Sequence, residues 1–288
     1  MTVSEAAVLA SGLAFGESPR WHEERLWFAN WGTGEIVAVD EAGATEVVAR
    51  IQTTLPCSID WLPDGRMIVV SGPEALLLRQ EVDGSLTRYA ELGAYGTVFN
   101  ELVVDSLGNS YVNGGSFDPS GQQDSALGVI VLVRPDGTTR LVANDINFGN
   151  GMVITADGAT LIVAESWANR LTAFDIAGDA TLSNRRVWAD LGGGYPDGIC
   201  LDRDGAVWFA DVPNQQCVRV EEGGRVLDTV PVDRAAFACM LGGGDGCTLY
   251  VTASIWRGFE NMSAEARDGI IVTFPVDTPG AGWPGWNA

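Results

Sequence analysis

The sequence predicts an all-β fold, a six-bladed β-propeller of four-stranded antiparallel blades, on three observations. Short β-type runs recur along the chain: RLWFAN, RMIVVSG, NSYVNGG, TLIVAES, AVWFADV and TLYVTAS. Each follows a turn, at positions 24, 64, 107, 157, 204 and 245. Most of these turns end in glycine, a hairpin signal between apolar runs. The turns fall 40 to 50 residues apart, the period of a propeller blade. Each unit then continues into a second hairpin, as in GEIVAVDEAGATEVVAR and GVIVLVRPDGTTRLVA, so one unit holds four strands.

Six such units use up the 288 residues, so residues 1–288 read as a single domain without a linker. The last unit, TLYVTAS followed by GIIVTFPVD, is one strand short before the tail GAGWPGWNA. An orphan strand, AAVLASG, precedes the first unit. The N-terminal strand is therefore expected to complete the sixth blade and close the ring, pairing an edge that would otherwise stand open. The Trp-Asp and Gly-His signatures of WD40 repeats and the diglycine pattern of kelch repeats are missing.

Composition narrows the function. With 17 basic and 38 acidic side chains the formal net charge is −21. That sign repels the phosphate backbone and anionic lipid, so neither nucleic acid nor a membrane surface is an expected partner. No stretch reaches the roughly 18 apolar residues of a membrane span. The N-terminus MTVSEAAVLASGLAFGE has no basic n-region and carries Glu5 in its mildly apolar stretch, so no signal peptide is read there. The five cysteines form no CxxC pair. Together these features predict reduced thiols in the cytoplasm. The single histidine, His22, leaves little for a Ser-His-Asp triad or a multi-histidine zinc site. It is expected to be a solvated turn residue.

The repeat phase locates a candidate site. Seven residues before each turn lies the start of the innermost strand, which selects Glu17, Cys57, Asn100, Asn150, Asp197 and Ala238. The inner strands of a propeller run the same way along the channel, so these positions form a ring at one mouth. Glu17, Asn150 and Asp197, with Asn100 as a fourth, are oxygen donors. Glu17 and Asp197 would repel each other in a narrow channel, and a hard cation removes that cost. Three or four protein ligands leave positions open, as in a catalytic metal site. Asn150-Gly151 and Asp197-Gly198 also read as ordinary turn dipeptides. Against that reading, Glu17-Ser18 shares their phase and a full turn follows each at the same offset. Cys57 reads as an apolar filler or a group behind the ligands, with a softer ion such as zinc as the alternative. Most of the ten tryptophans lie on blade strands and read as core. Trp31, Trp167 and Trp256 follow second strands and could wall a pocket.

The segments GESPRW (16–21), FGNGMVITADGATLIVAES (148–166) and YPDGICLDRDGAVWFADV (195–212), with the weaker FNELVVDSLGNSYV (99–112) and GGDGCTLYVTAS (243–254), carry a resemblance over essentially the whole chain. The sequence resembles the family of senescence marker protein (regucalcin) and gluconolactonase. That resemblance implies a six-bladed propeller with one divalent metal ion in the channel, whether calcium, zinc, manganese or magnesium. The implied ligands fall on Glu17, Asn150 and Asp197, the positions reached from the repeat. It further implies lactone hydrolysis, with the metal polarising the lactone carbonyl and Asp197 as general base. Asn100 is implied to contact either substrate or metal, and Glu101 beside it to contact substrate. The alternatives are a non-catalytic calcium-binding propeller and a phosphotriesterase-like or other metal-assisted enzyme acting on a small metabolite. Sugar-lactone members often show Arg-x-Asn-Asp before the third inner strand. Here Val98-Phe99-Asn100-Glu101 lacks the arginine and replaces the Asp. A substrate less anionic or less hydroxylated than an aldonolactone is expected, with Phe99 and Tyr95 adding apolar surface. The alternative, that Val98 points away and another loop supplies the donor, stays open, as does the oligomeric state.

Overall fold

In a computed structural model, residues 6–52, 55–116, 127–258 and 265–282 are described. Six four-stranded antiparallel sheets are arranged as the blades of a propeller. The inner strands are Gly16–His22, Cys57–Trp61, Val98–Val104, Gly149–Ile154, Pro196–Leu201 and Ala235–Gly242. Each pairs with the next strand of its own blade in chain order. The ring closes as expected: Ala7–Leu13 pairs antiparallel with Gly269–Pro275 as the outer strand of the sixth blade. Among the described residues the only helical turn is the 3₁₀ segment Ser166–Ala168. None of their helices is long and apolar enough to cross a membrane. Trp283 and Trp286 lie outside the described residues.

The inner hairpins form because their turns supply the needed backbone. Gly65 and Gly205 both sit at φ +82°, a conformation that side chains with a Cβ rarely adopt. The first blade uses a tighter, two-residue turn, with Glu23 and Glu24 at φ 48° and 58°. His22 is not a turn residue. It ends the first inner strand, and its ring stacks on Trp61 with centroids 4.1 Å apart. Burial between these blades lowers its pKa below that of an ordinary histidine.

The core has one apolar cluster at each of the six interfaces between neighbouring blades, and a smaller seventh of Phe15, Ala235 and Phe237. Period-2 alternation feeds both interfaces of a blade. In the third inner strand Leu102 and Val104 pack toward the second blade, while Val103 packs toward the fourth. Trp27, Trp61, Trp188 and Trp208 are core residues. All five cysteines are free thiols, with Cys200, Cys217 and Cys239 sharing one cluster.

Leu13 belongs to the cluster joining the sixth and first blades. Leu13→Ala is expected to lower unfolding free energy by about 2–5 kcal/mol, the usual cost of emptying a buried leucine site. Urea unfolding measures it. A change within experimental error would mean that the N-terminal strand does not hold the ring together.

Candidate functional site

Where the inner strands begin, the channel opens into a cavity of about 850 Å³. Glu17, Asn100, Asn150 and Asp197 all line it. Cys57 and Ala238 do not, and their neighbours Pro56 and Phe237 line it instead.

Strand pairing explains the division. The register shifts at the start of five inner strands, between Glu17 and Arg20, Phe99 and Leu102, Gly149 and Met152, Pro196 and Ile199, and Ala236 and Ala238. A bulge there breaks alternation and re-aims side chains. Glu17, Asn100, Asn150 and Asp197 sit at or inside these breaks. The second inner strand pairs without a shift, from Cys57↔Ser71 onward. Cys57 is accordingly buried in the interface with the first blade, its thiol pKa pushed up by burial.

The two glycines that follow Asn150 and Asp197 are not turn residues. Both lie within strands, and neither is among the residues with positive φ. A Cβ on Gly151 would meet the Ile199 backbone nitrogen at 2.5 Å, and one on Gly198 would meet the Ala238 Cβ at 2.3 Å. They are glycine because adjacent inner strands approach too closely for a side chain.

Each of the three candidate ligands is preceded by a clamped backbone. The Asn30 side-chain oxygen accepts the Ala14 and Phe15 N–H groups, each at 3.1 Å. Glu165 accepts the Asn147 N–H at 2.7 Å, and Asp211 accepts that of Tyr195 at 3.0 Å. All three clamping side chains are buried and close the second strand of the same blade. Ser166 links two ligand positions: it donates to the Pro196 carbonyl at 2.6 Å and stands 3.5 Å from the Asn150 amide nitrogen. Asn113 donates to the Asn150 carbonyl at 2.6 Å and accepts the Glu101 N–H at 3.3 Å. Sequence reasoning missed these supporting residues. Their signal was the polar residue that recurs near the end of the second strands.

Asn100 donates its amide to the Asn150 side-chain oxygen at 3.1 Å, so the two amides lie side by side. Glu101 is placed otherwise than expected. It does not line the cavity, because the bulge turns it back beneath the floor. There its carboxylate accepts from Arg20 at 3.0 Å, Ser18 Oγ at 3.1 Å and the Leu102 N–H at 2.9 Å. The Arg20–Glu101 pair is buried on both sides. Phe99 is fully buried in the interface between the second and third blades, and the Tyr95 hydroxyl bonds to Thr139. Neither joins the cavity lining, whereas Val98 does.

Burial raises the pKa of Glu17 well above the usual carboxylate range, with the Asp197 and Glu101 charges adding to it. Asp197 is raised likewise, by burial and then by Glu101. Among the described residues no three His, Cys, Asp or Glu side chains converge into a metal-ligating cluster. The donor set is instead two carboxylates with the amides of Asn150 and Asn100. It is a hard, all-oxygen set of the kind that suits a divalent cation. No basic side chain lines the cavity among the described residues. Arg20 beneath the floor offsets only part of the rise at Glu17, and the donor set fits a cation.

Residues 15–255 match the model of the SMP-30/Gluconolactonase/LRE-like region. The chain belongs to this family. A 6-deoxy-6-sulfogluconolactonase of Pseudomonas putida is 27% identical over 93% of this chain and 94% of its own length. A pentonolactonase of Haloferax volcanii is 25% identical over 88% and 86%. Regucalcin of Danio rerio is 29% identical over 87% and 85%. Among solved structures, a calcium-binding regucalcin from Agrobacterium tumefaciens superposes with a TM-score of 0.81 at 19% identity, covering 99% of this chain and 98% of the other. A likeness at that identity speaks to the fold alone.

Two predictions follow from the electrostatics. Arg20→Ala strands the buried Glu101 carboxylate and is expected to cost about 3–5 kcal/mol of stability, read by chemical denaturation. For Glu17 and Asp197, folded-state pKa values above the unfolded ones mean that the folded chain binds more protons. Stability of the cation-free protein therefore falls as pH rises from the unfolded carboxylate pKa through the folded values. A divalent cation is expected to raise Tm, and to do so more at pH 8 than at pH 5, because protons compete for the same oxygens. Equal shifts at both pH values would remove these carboxylates from cation binding.

Proposed function

We propose that this chain, acting as one domain over residues 1–288, hydrolyses a lactone to the open hydroxy acid at the floor of the cavity. The observation that carries the reading is the gathering of buried Glu17, half-buried Asp197 and the amides of Asn150 and Asn100 at the floor of one cavity. The lactonases among the relatives support it. Glu17, Asn150 and Asp197 would hold one divalent cation, of calcium, zinc, manganese or magnesium. Bound there, it would polarise the lactone carbonyl and offset the charge developing on its oxygen.

The remaining work falls to the chain's own residues. Asp197 takes a proton from the attacking water and returns it to the departing ring oxygen, so one water and one lactone give one hydroxy acid. Glu17 and Asn150 fix the geometry of the floor, their backbones held by Asn30 and Glu165. Asn100 turns its amide toward the floor and contacts the substrate oxygen. Ser166 holds the strand that carries Asp197 through the Pro196 carbonyl. Such preorganisation removes reorientation from the barrier.

Assays on a panel of lactones, with chelator and with cation restored, test this reading. Chelation is expected to abolish turnover and cation to restore it. Asp197→Ala is expected to lower kcat by about 10²–10⁴-fold, the range for a lost general base. Turnover at the wild-type rate in that variant would remove Asp197 from the mechanism. Full cation content in a Glu17→Gln, Asp197→Asn double variant, by elemental analysis, would rule out the site.

A further inference from the structure

Beneath the cavity floor one hydroxyl ties the first inner strand to two other blades. Ser18 is buried and does not line the cavity. Its Oγ donates to Glu101 Oε1 on the third inner strand at 3.1 Å. The same Oγ accepts the Ile59 N–H of the second inner strand at 3.1 Å. That strand ends its sheet, so the hydroxyl takes up a backbone donor where no strand can. Two residues on, Arg20 donates to the same Glu101 oxygen at 3.0 Å and to the Leu102 carbonyl at 2.8 Å.

These bonds hold a backbone that would not hold itself. Ser18 lies inside the register break between Glu17 and Arg20. Its φ is 51°, in the left-handed region that residues with a Cβ rarely adopt. Gly151 and Gly198 are not at positive φ, so among the three candidate ligands only Glu17 is followed by a left-handed residue. In this conformation the Ser18 N–H donates to Glu17 Oε2 at 3.1 Å. No other described residue donates a hydrogen bond to that carboxylate.

We infer that Ser18 is a positioning residue for the divalent cation, which rests on the cation-dependent lactonase reading above. Its hydroxyl, anchored by Glu101 and Ile59, locks the left-handed backbone. The N–H presented there fixes Oε2 of Glu17 and leaves the other oxygen for the cation. Ser18 acts only through Glu17. Groups one bond behind a ligand orient it and set much of the affinity.

The test is calorimetric titration of the cation-free full chain with calcium, zinc, manganese and magnesium in turn, at a temperature where each variant is folded. Ser18→Ala removes both anchoring bonds and is expected to weaken the tightest-bound cation by about 10–100-fold, the usual loss for a partner behind a ligand. Ser18→Gly accepts φ 51° without strain but does not enforce it, and is expected to weaken binding by a smaller, measurable factor. Leu13→Ala loosens the ring at its closing strand and is expected to bind as wild type does, because lost stability alone leaves the affinity of the folded chain unchanged. Wild-type affinity in either folded Ser18 variant, or an equal loss in Leu13→Ala, would overturn the assignment while the cation reading stands. If the wild-type chain binds none of the four cations, both fall.

Discussion

A strand paired residue for residue with its neighbour sends alternate side chains to opposite faces of its sheet. In a propeller both faces are interfaces between blades, so an unbroken inner strand has no side chain left for the channel. The register breaks at the strand starts supply the exception. They turn Glu17, Asn100, Asn150 and Asp197 toward the cavity while the rest of each strand keeps its apolar alternation. The second blade is the internal comparison. It lacks the break, and Cys57 at the same repeat position is core.

A bulge alone leaves the backbone ahead of it unpaired. Asn30, Glu165 and Asp211 answer that need, each accepting the N–H groups of the segment that leads into a candidate ligand. Glu165 is held in turn by Arg170 and Arg185, and Asp211 by Asn214 and Gln216. The polar layer is thus satisfied outward from the floor, as buried polar groups require. It is what lets two like charges sit together at the end of an apolar channel without the surrounding strands giving way.

The sequence made the blade count, the phase of the hairpins and the closing strand readable, because turn glycines and apolar runs recur at a near-constant spacing. It also placed the ring positions, since phase alone determines which residues begin the inner strands. Side-chain direction near the bulges was another matter. Phe99, expected to add apolar surface to the pocket, is instead buried between blades, while Val98 lines the cavity. Glu101 sits inside the break, where alternation predicts nothing, and its course toward Arg20 depends on a residue 81 positions away. Gly151 and Gly198 carried turn-like sequence contexts, yet their reason lies in the neighbouring blade. His22 likewise followed a long-range partner, Trp61, that no local pattern announces.

Closure of the sixth blade has a consequence for synthesis on the ribosome. Among the described strands Ala7–Leu13 is the first to emerge, yet its partner, Gly269–Pro275, is the last. Until then the nascent chain carries an apolar strand with a free edge beside five blades that can already pair within themselves. The circle is sealed only once Gly269–Pro275 has been made, so a chain cut short of it is left an open arc with two exposed blade faces. Such arcs are prone to join edge to edge with other copies. Closure therefore depends on synthesis having reached Gly269–Pro275, more than on any single blade.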